Sequence, residues 1–192
     1  MSFSTLNHIA DSLSENARSF FMKPWGYAIQ YCGEKPNQMM IQFLYSQMVN
    51  FDKNLSYMDF GCGINFFSHL NKTFNLNLDF KSVDWENRPV FYNELCLQKP
   101  DTYCVDFRRA DFVIHTNEKV DVIIICRNPI VCDVGSLESF KHNLRKLKPY
   151  MKDNGYFIIY QGDGNKHFNA FMSDYLLEKA YKNVYRINSV DI

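Results

Sequence analysis

The chain has 192 residues, 46% hydrophobic and 16% aromatic, which suffices for one domain with a buried core and is too apolar for a disordered chain. Basic and acidic side chains number 21 each, so the net charge is zero. That balance excludes the overall electrostatic footprint of a nucleic-acid-binding protein or of one held on an anionic membrane.

The first residues carry Asp11, Glu15 and Arg18 and no long apolar stretch, which argues against a signal peptide. No apolar run reaches the roughly 18 residues of a membrane span. Six cysteines stand at 32, 62, 96, 104, 126 and 132. None forms Cys-x-x-Cys and none pairs with a histidine at zinc spacing, so buried free thiols, no metal and a reducing, cytoplasmic setting are expected.

In chain order, residues 1–52 read as a mainly helical N-terminal segment. Met39, Met40, Phe43, Leu44, Gln47 and Met48 form an amphipathic stretch opened by Lys35-Pro36-Asn37,. The aromatic run Met22–Cys32 before it could pack on a sheet face or serve as a lid. Residues 53–192 form the second unit, in which strand and helix alternate as in a parallel α/β sheet. Strands are predicted at 56–60, 79–83, 104–108, 120–126, 156–161 and 184–188, and helices near 65–75, 88–98, 136–151 and 166–182. In the 136–151 helix, Leu137, Phe140, Leu144, Leu147 and Met151 share one face and Ser136 is the N-cap,. Asn154-Gly155 turns into the next strand.

The richest segment is Tyr57-Met-Asp-Phe-Gly-Cys-Gly-Ile-Asn65. An apolar strand meets Asp59, turns through Gly61 and Gly63, and enters a helix bearing Phe67, Leu70 and Phe74,. Glycines let backbone approach a ligand, and a helix N-terminus offers unpaired N–H groups. The third glycine of a dinucleotide fingerprint is replaced by the bulky Phe66, and no Gly-Lys-Ser/Thr follows, so neither a dinucleotide loop nor a Walker loop fits. An acid at Asp59 suits a ligand carrying a positive amine better than one carrying phosphates.

Acid-x-Gly-x-Gly between strand and helix resembles motif I of the class I S-adenosylmethionine-dependent methyltransferases, and the likeness runs over about residues 55–190. It implies a Rossmann-like, doubly wound, mainly parallel sheet, with S-adenosylmethionine as cofactor and S-adenosylhomocysteine as product. Gly61, Cys62, Gly63 and Asn65 would form the turn, beside Asp59. Asp84, ending Lys81-Ser-Val-Asp84-Trp85 about 20 residues on, would hold the ribose diol through its two carboxylate oxygens. Trp85 would lie on the adenine, and Asp111 and the Phe112 backbone would meet its amino group and ring nitrogen. Cys126, Arg127 and Asn128, at the end of Val120-Asp-Val-Ile-Ile-Ile-Cys126, would face the cleft.

Residues 120–160 also resemble chemotaxis-receptor (CheR-type) methyltransferases locally, through Ile125-Cys-Arg-Asn128 and Leu147-Lys-Pro-Tyr-Met-Lys-Asp-Asn-Gly-Tyr-Phe-Ile-Ile159. The glycine motif does not match that subfamily, so the likeness supports the superfamily and not glutamate methylation. Asn128-Pro129-Ile130-Val131 lacks the Pro-Pro-aromatic of base methyltransferases, so a nucleic-acid substrate is disfavoured. The acceptor expected is a small molecule or a protein side chain. No catalytic base declares itself; His167, Asp163 and Tyr160 are the candidates. A catalytically inactive partner or scaffold subunit of the same fold is the alternative. The resembling family carries a seventh, antiparallel strand, whereas this chain ends soon after the sixth predicted one. The last strand is then missing, donated by a partner, or carried by a longer natural chain, and an open sheet edge would be a place for a homodimer or another partner.

Overall fold

The computed structural model describes residues 46–61, 67–68, 71, 74–84, 102–104, 112–126, 134–161, 166–179 and 183–192. The elements are β1 (Ser56–Phe60), β2 (Asp79–Asp84), β3 (Thr102–Cys104), β4 (Val120–Cys126), α1 (Leu137–Arg145), β5 (Met151–Gln161), α2 (Lys166–Phe171), β6 (Leu176–Lys179) and β7 (Asn183–Asn188). Single 3-10 turns at Lys148–Tyr150, Ser173–Tyr175 and Ser189–Asp191 link or end them. The seven strands make one sheet in the order β3-β2-β1-β4-β5-β7-β6. The pairings from β3 through β5 are parallel, and β7 runs antiparallel to both β5 and β6.

The truncated sheet expected from the sequence is therefore corrected. The strand read at 184–188 is the antiparallel seventh, inserted between β5 and β6, and the sixth lies inside the stretch read as a helix over 166–182. That helix stops at Phe171, and Leu176–Lys179 is extended and paired to β7. Among the described residues the seventh strand is present, and the outermost described strands are β3 and β6. The helix read over 136–151 ends at Arg145, because Pro149 opens a 3-10 turn and Met151 begins β5,. The third strand starts earlier than read, at Thr102; residues 105–108 and the helix near 88–98 lie outside the described residues.

Strand alternation divides the core into two layers. Met58, Phe60, Ile123, Ile125, Phe157, Ile159, Tyr185 and Ile187 pack with Phe140 and Leu144 of α1 and Phe168 of α2. Phe140 meets Phe168 edge-on at 5.1 Å and 87°, an arrangement worth about 0.5–1.5 kcal/mol beyond its area. Ser136 caps α1 as expected, its hydroxyl accepting from the Ser139 amide at 3.2 Å. On the opposite face a line of rings runs Phe51–Tyr57–Phe80–Phe67–Tyr160, with centroids 4.9, 5.1, 5.9 and 6.0 Å apart in turn. β4, at the centre, is buried on both faces except at Asp121, which is why it reads as an unbroken apolar run.

Where β5 begins, the ladder with β4 shifts register: Val120 pairs with Met151 and Val122 with Tyr156. Gly155, predicted to turn the chain here, sits buried at this shift. A methyl group on it would lie 2.3 Å from Met151 Cγ and 2.7 Å from the Asp121 carbonyl oxygen. Asp121 stitches the same end of the sheet together. Its carboxylate accepts from the Ser56 amide (2.8 Å), the Ser56 hydroxyl (2.7 Å) and the Lys152 ammonium (2.7 Å).

Candidate functional site

From β1 the sheet order runs one way through β2 and β3 and the other way through β4 and β5. The reversal between β1 and β4 opens a crevice beyond their carboxyl ends, the usual ligand site of such sheets. The glycine motif falls there because β1 stops at Phe60 and the chain turns at once.

Gly61 has φ of 76°, a left-handed conformation open to glycine at little cost,. Its amide donates to the Val83 carbonyl at 2.7 Å, so the turn is anchored to β2 as it leaves β1. Asp59 is 1% exposed and lies in register between Ser82 of β2 and Ile124 of β4. Its carboxylate is thus held in the central strands two residues before the turn. Ser82 meets the hydroxyl of Ser68, on the helical stretch after the turn, at 3.1 Å. Asn71 clamps that stretch to the start of β2, its amide donating to the Leu78 carbonyl (2.8 Å) and its carbonyl accepting from the Leu78 amide (3.0 Å).

Asp84 closes β2 in register with Cys104 of β3, so it stands at the same edge of the sheet as Gly61. Phe112 is half-buried with its ring 5.9 Å from that of Phe60, at 35°. It flanks β1 on the face opposite Asp59. Cys126 ends β4, is buried, and pairs in register with Tyr160. Tyr160 pairs onward with Val184, and Val184 with Glu178, so Cys126, Tyr160 and Glu178 occupy one row at the carboxyl edge of β4, β5 and β6. The Tyr160 ring lies 6.0 Å from Phe67. Burial, then the neighbouring Cys126, Glu178 and Asp59, push its phenol far above the ordinary tyrosine value,.

Asp59, Gly61, Asp84, Phe112, Cys126 and Tyr160 are thus brought to one end of the sheet. His167 lies on α2, at the start of the segment after β5. Cys62, Gly63, Asn65, Trp85, Asp111, Arg127, Asn128 and Asp163 lie outside the described residues. Three members of this edge were not singled out from sequence. Ser82 had a signal, since it alternates with Asp84 along a strand. Ser68 and Glu178 had none: Ser68 takes its place through a contact across the β1–β2 connection. Glu178 accepts from the Gln47 side chain at 2.9 Å, 131 residues away, which no local pattern encodes.

A seven-stranded sheet with an antiparallel seventh strand between the fifth and sixth, and an acid and a left-handed glycine at its switch point, is the class I methyltransferase fold. Solved structures with this architecture bear the assignment out. The N-methyltransferase NodS from Bradyrhizobium japonicum WM9, solved with S-adenosyl-L-homocysteine, is similar over 96% of this chain and 97% of its own, at TM-score 0.54 and 10% identity. The PH0226 protein from Pyrococcus horikoshii OT3 is similar over 83% of this chain and 94% of its own, at TM-score 0.58 and 14% identity. Coclaurine N-methyltransferase, bound to N-methylheliamine and S-adenosylhomocysteine, is similar over 96% of this chain and 60% of its own, at TM-score 0.50 and 13% identity. At these identities the likeness is one of fold. No protein-family model and no curated protein matches the sequence. Among the described residues no helix is long and apolar enough to cross a membrane.

Proposed function

We propose that the protein is an S-adenosylmethionine-dependent methyltransferase acting on a small molecule or a protein side chain. The observation that supports this most is the coincidence of Asp59 and the left-handed Gly61 with the β1/β4 switch point of a sheet in methyltransferase order. The residues present fit the donor. Gly61 leaves its backbone open to close approach, with Asp59 the penultimate residue of β1 and Asp84 the last of β2.

In this reading Asp59 accepts from the donor's amine and Asp84 accepts two hydrogen bonds from the ribose diol. Cys62, Gly63 and Asn65 continue the turn. Trp85 covers the adenine, with Asp111 and the Phe112 backbone at its polar edge, and Cys126, Arg127 and Asn128 border the cleft. The donor supplies a methyl group already activated on a sulfonium, so the protein's work is positioning and exclusion of water. Tyr160 is buried and its phenol holds its proton, so it serves as a neutral wall or a hydrogen-bond donor. His167 and Asp163 are then the candidates for a base where the acceptor must lose a proton. Residues 1–52 form a cap on the domain of residues 53–192; the buried Met48 and the bond from Gln47 to Glu178 support a seat for that cap on the sheet. The N-methylheliamine bound to one similar structure is in keeping with a small-molecule acceptor.

The test is calorimetric titration of S-adenosylmethionine and S-adenosylhomocysteine into the protein and into Asp84→Ala. Micromolar binding that weakens by about 1.5–3 kcal/mol in the variant, the usual worth of hydrogen bonds to a charged group, is expected. Absence of binding to both ligands would overturn the reading and favour a scaffold subunit.

A further inference from the structure

A second concavity lies at the opposite edge of the sheet from the glycine turn. It has a volume of about 450 Å³ and is bordered by Lys119, Arg145, Lys148 and Lys152 against the one carboxylate of Asp153. Pro149, Met151 and Val190 supply apolar wall. The topology explains why these residues meet. Lys119 immediately precedes β4, Lys148 to Asp153 lead into β5, and Ser189 and Val190 follow the antiparallel β7. All therefore gather at the amino edge. β4 alone, seven residues long, separates this edge from Cys126 by about 20 Å at the usual rise per residue.

The charges here are not all neutralised within the protein. Arg145 is bound to Glu138 at 2.8 Å and Lys152 to Asp121 at 2.7 Å. Lys119 and Lys148, both exposed, have no ion-pair partner among the described residues. In a chain whose net charge is zero, these two lysines without a carboxylate partner, beside two paired cations, leave a local positive field that draws anions. The volume falls within the range of pockets for whole small molecules, about 300–1,000 Å³, and far exceeds the needs of a lone inorganic ion. A single concavity with apolar wall also suits a compact ligand better than the extended basic track of a nucleic-acid binder.

We infer that this cavity binds a phosphate-bearing small molecule of about nucleotide size, with its phosphates on Lys119 and Lys148 and its body on Pro149 and Val190. The site is separate from the donor crevice. Because it does not rest on the methyltransferase reading, it stands or falls independently.

The experiment is calorimetric titration of uridine diphosphate and of inorganic pyrophosphate into the full chain at low salt, with and without saturating S-adenosylhomocysteine. A pyrimidine is chosen so that no adenine pocket is probed. Uridine diphosphate is expected to bind with Kd below about 1 mM, more tightly than pyrophosphate, and to persist when S-adenosylhomocysteine is present. The double variant Lys119→Ala/Lys148→Ala should weaken it at least about tenfold, whereas Asp153→Asn, which removes the only acid, should tighten it. Both lysines are exposed, and unchanged melting will show that the variant is folded. Binding that survives the double substitution, displacement by S-adenosylhomocysteine, or no binding of either probe up to about 5 mM would each overturn the inference.

Discussion

Replacing Gly155 by alanine tests how the β4–β5 register is built. The added methyl carbon would sit 2.3 Å from Met151 Cγ, 2.8 Å from Met151 Sδ and 2.7 Å from the Asp121 carbonyl oxygen. The Met151 side chain is flexible, but it is itself buried, and the carbonyl belongs to the central strand. Relief therefore requires moving backbone or crowding the core, and overpacking of that kind costs about 1–3 kcal/mol. For a chain of this size 1 kcal/mol shifts the melting temperature by about 2–4 °C, so Gly155→Ala should lower Tm by about 2–12 °C. Gly135→Ala is the matched control. Nothing lies within 4 Å of a methyl group there, so it should be neutral or raise stability by up to about 1 kcal/mol through the unfolded chain. Thermal unfolding followed by far-ultraviolet circular dichroism reads both. Equal melting of Gly155→Ala and the parent would refute the claim that the close approach of β5 to Asp121 sets this register. The consequence reaches the site, because the pairing that starts at Val122 and Tyr156 ends at Cys126 and Tyr160.

Two further outcomes follow from buried and bonded groups. Burial raises the Asp121 carboxyl, but the Lys152 and Ser56 hydrogen bonds outweigh it and hold the group below the ordinary aspartate value. Its stabilising effect is thus full above the unfolded value near about 3.9 and lost as pH falls through the folded value. Asp121→Asn should destabilise by about 1–2 kcal/mol at neutral pH, discounted for the half-exposed Lys152. The gap in Tm from the parent should close as the pH falls through the folded value; a gap that persists unchanged in acid would contradict the assignment. In alkali, Tyr160 and Tyr57, both raised first by burial, should stay protonated while exposed tyrosines ionise. Spectrophotometric titration should count the same number of phenols below about pH 11 in the parent and in Tyr160→Phe. A count reduced by one would show that Tyr160 is open to solvent and able to act as a base.

The parts of the fold legible in the sequence are those whose burial is set by the strand itself. β1 and β4 were read at their observed bounds because apolar runs end at an abrupt change, Gly61 in one case and Arg127 in the other. β6 was missed because Phe168, Phe171, Met172 and Tyr175 continue a helical spacing up to its first residue. Its own Leu176 and Leu177 are exposed at 41% and 55%, so no alternation marks them as a half-buried strand,. The end of α1 was overrun because Leu147 and Met151 are buried by different elements that happen to keep the helical period. At the site, Asp59 and Gly61 were legible since one motif carries both the acid and the turn. The Cys126–Tyr160–Glu178 row was not, because it is assembled by pairing across β7, whose position between β5 and β6 follows from topology and not from any local pattern.

The strand order also fixes when the protein can be completed as it leaves the ribosome. β5 has β4 on one side only, and its other edge, carrying Phe157 and Ile159, stays uncapped until residues 183–188 have been made and have turned back against it. β6 emerges earlier, yet its one neighbour among the described strands, β7, has still to be made. The nascent chain therefore carries an open apolar edge through the synthesis of some twenty residues after Gln161, and the last strand closes it. Translation that stops short of 183 would leave this edge as a template for pairing between chains.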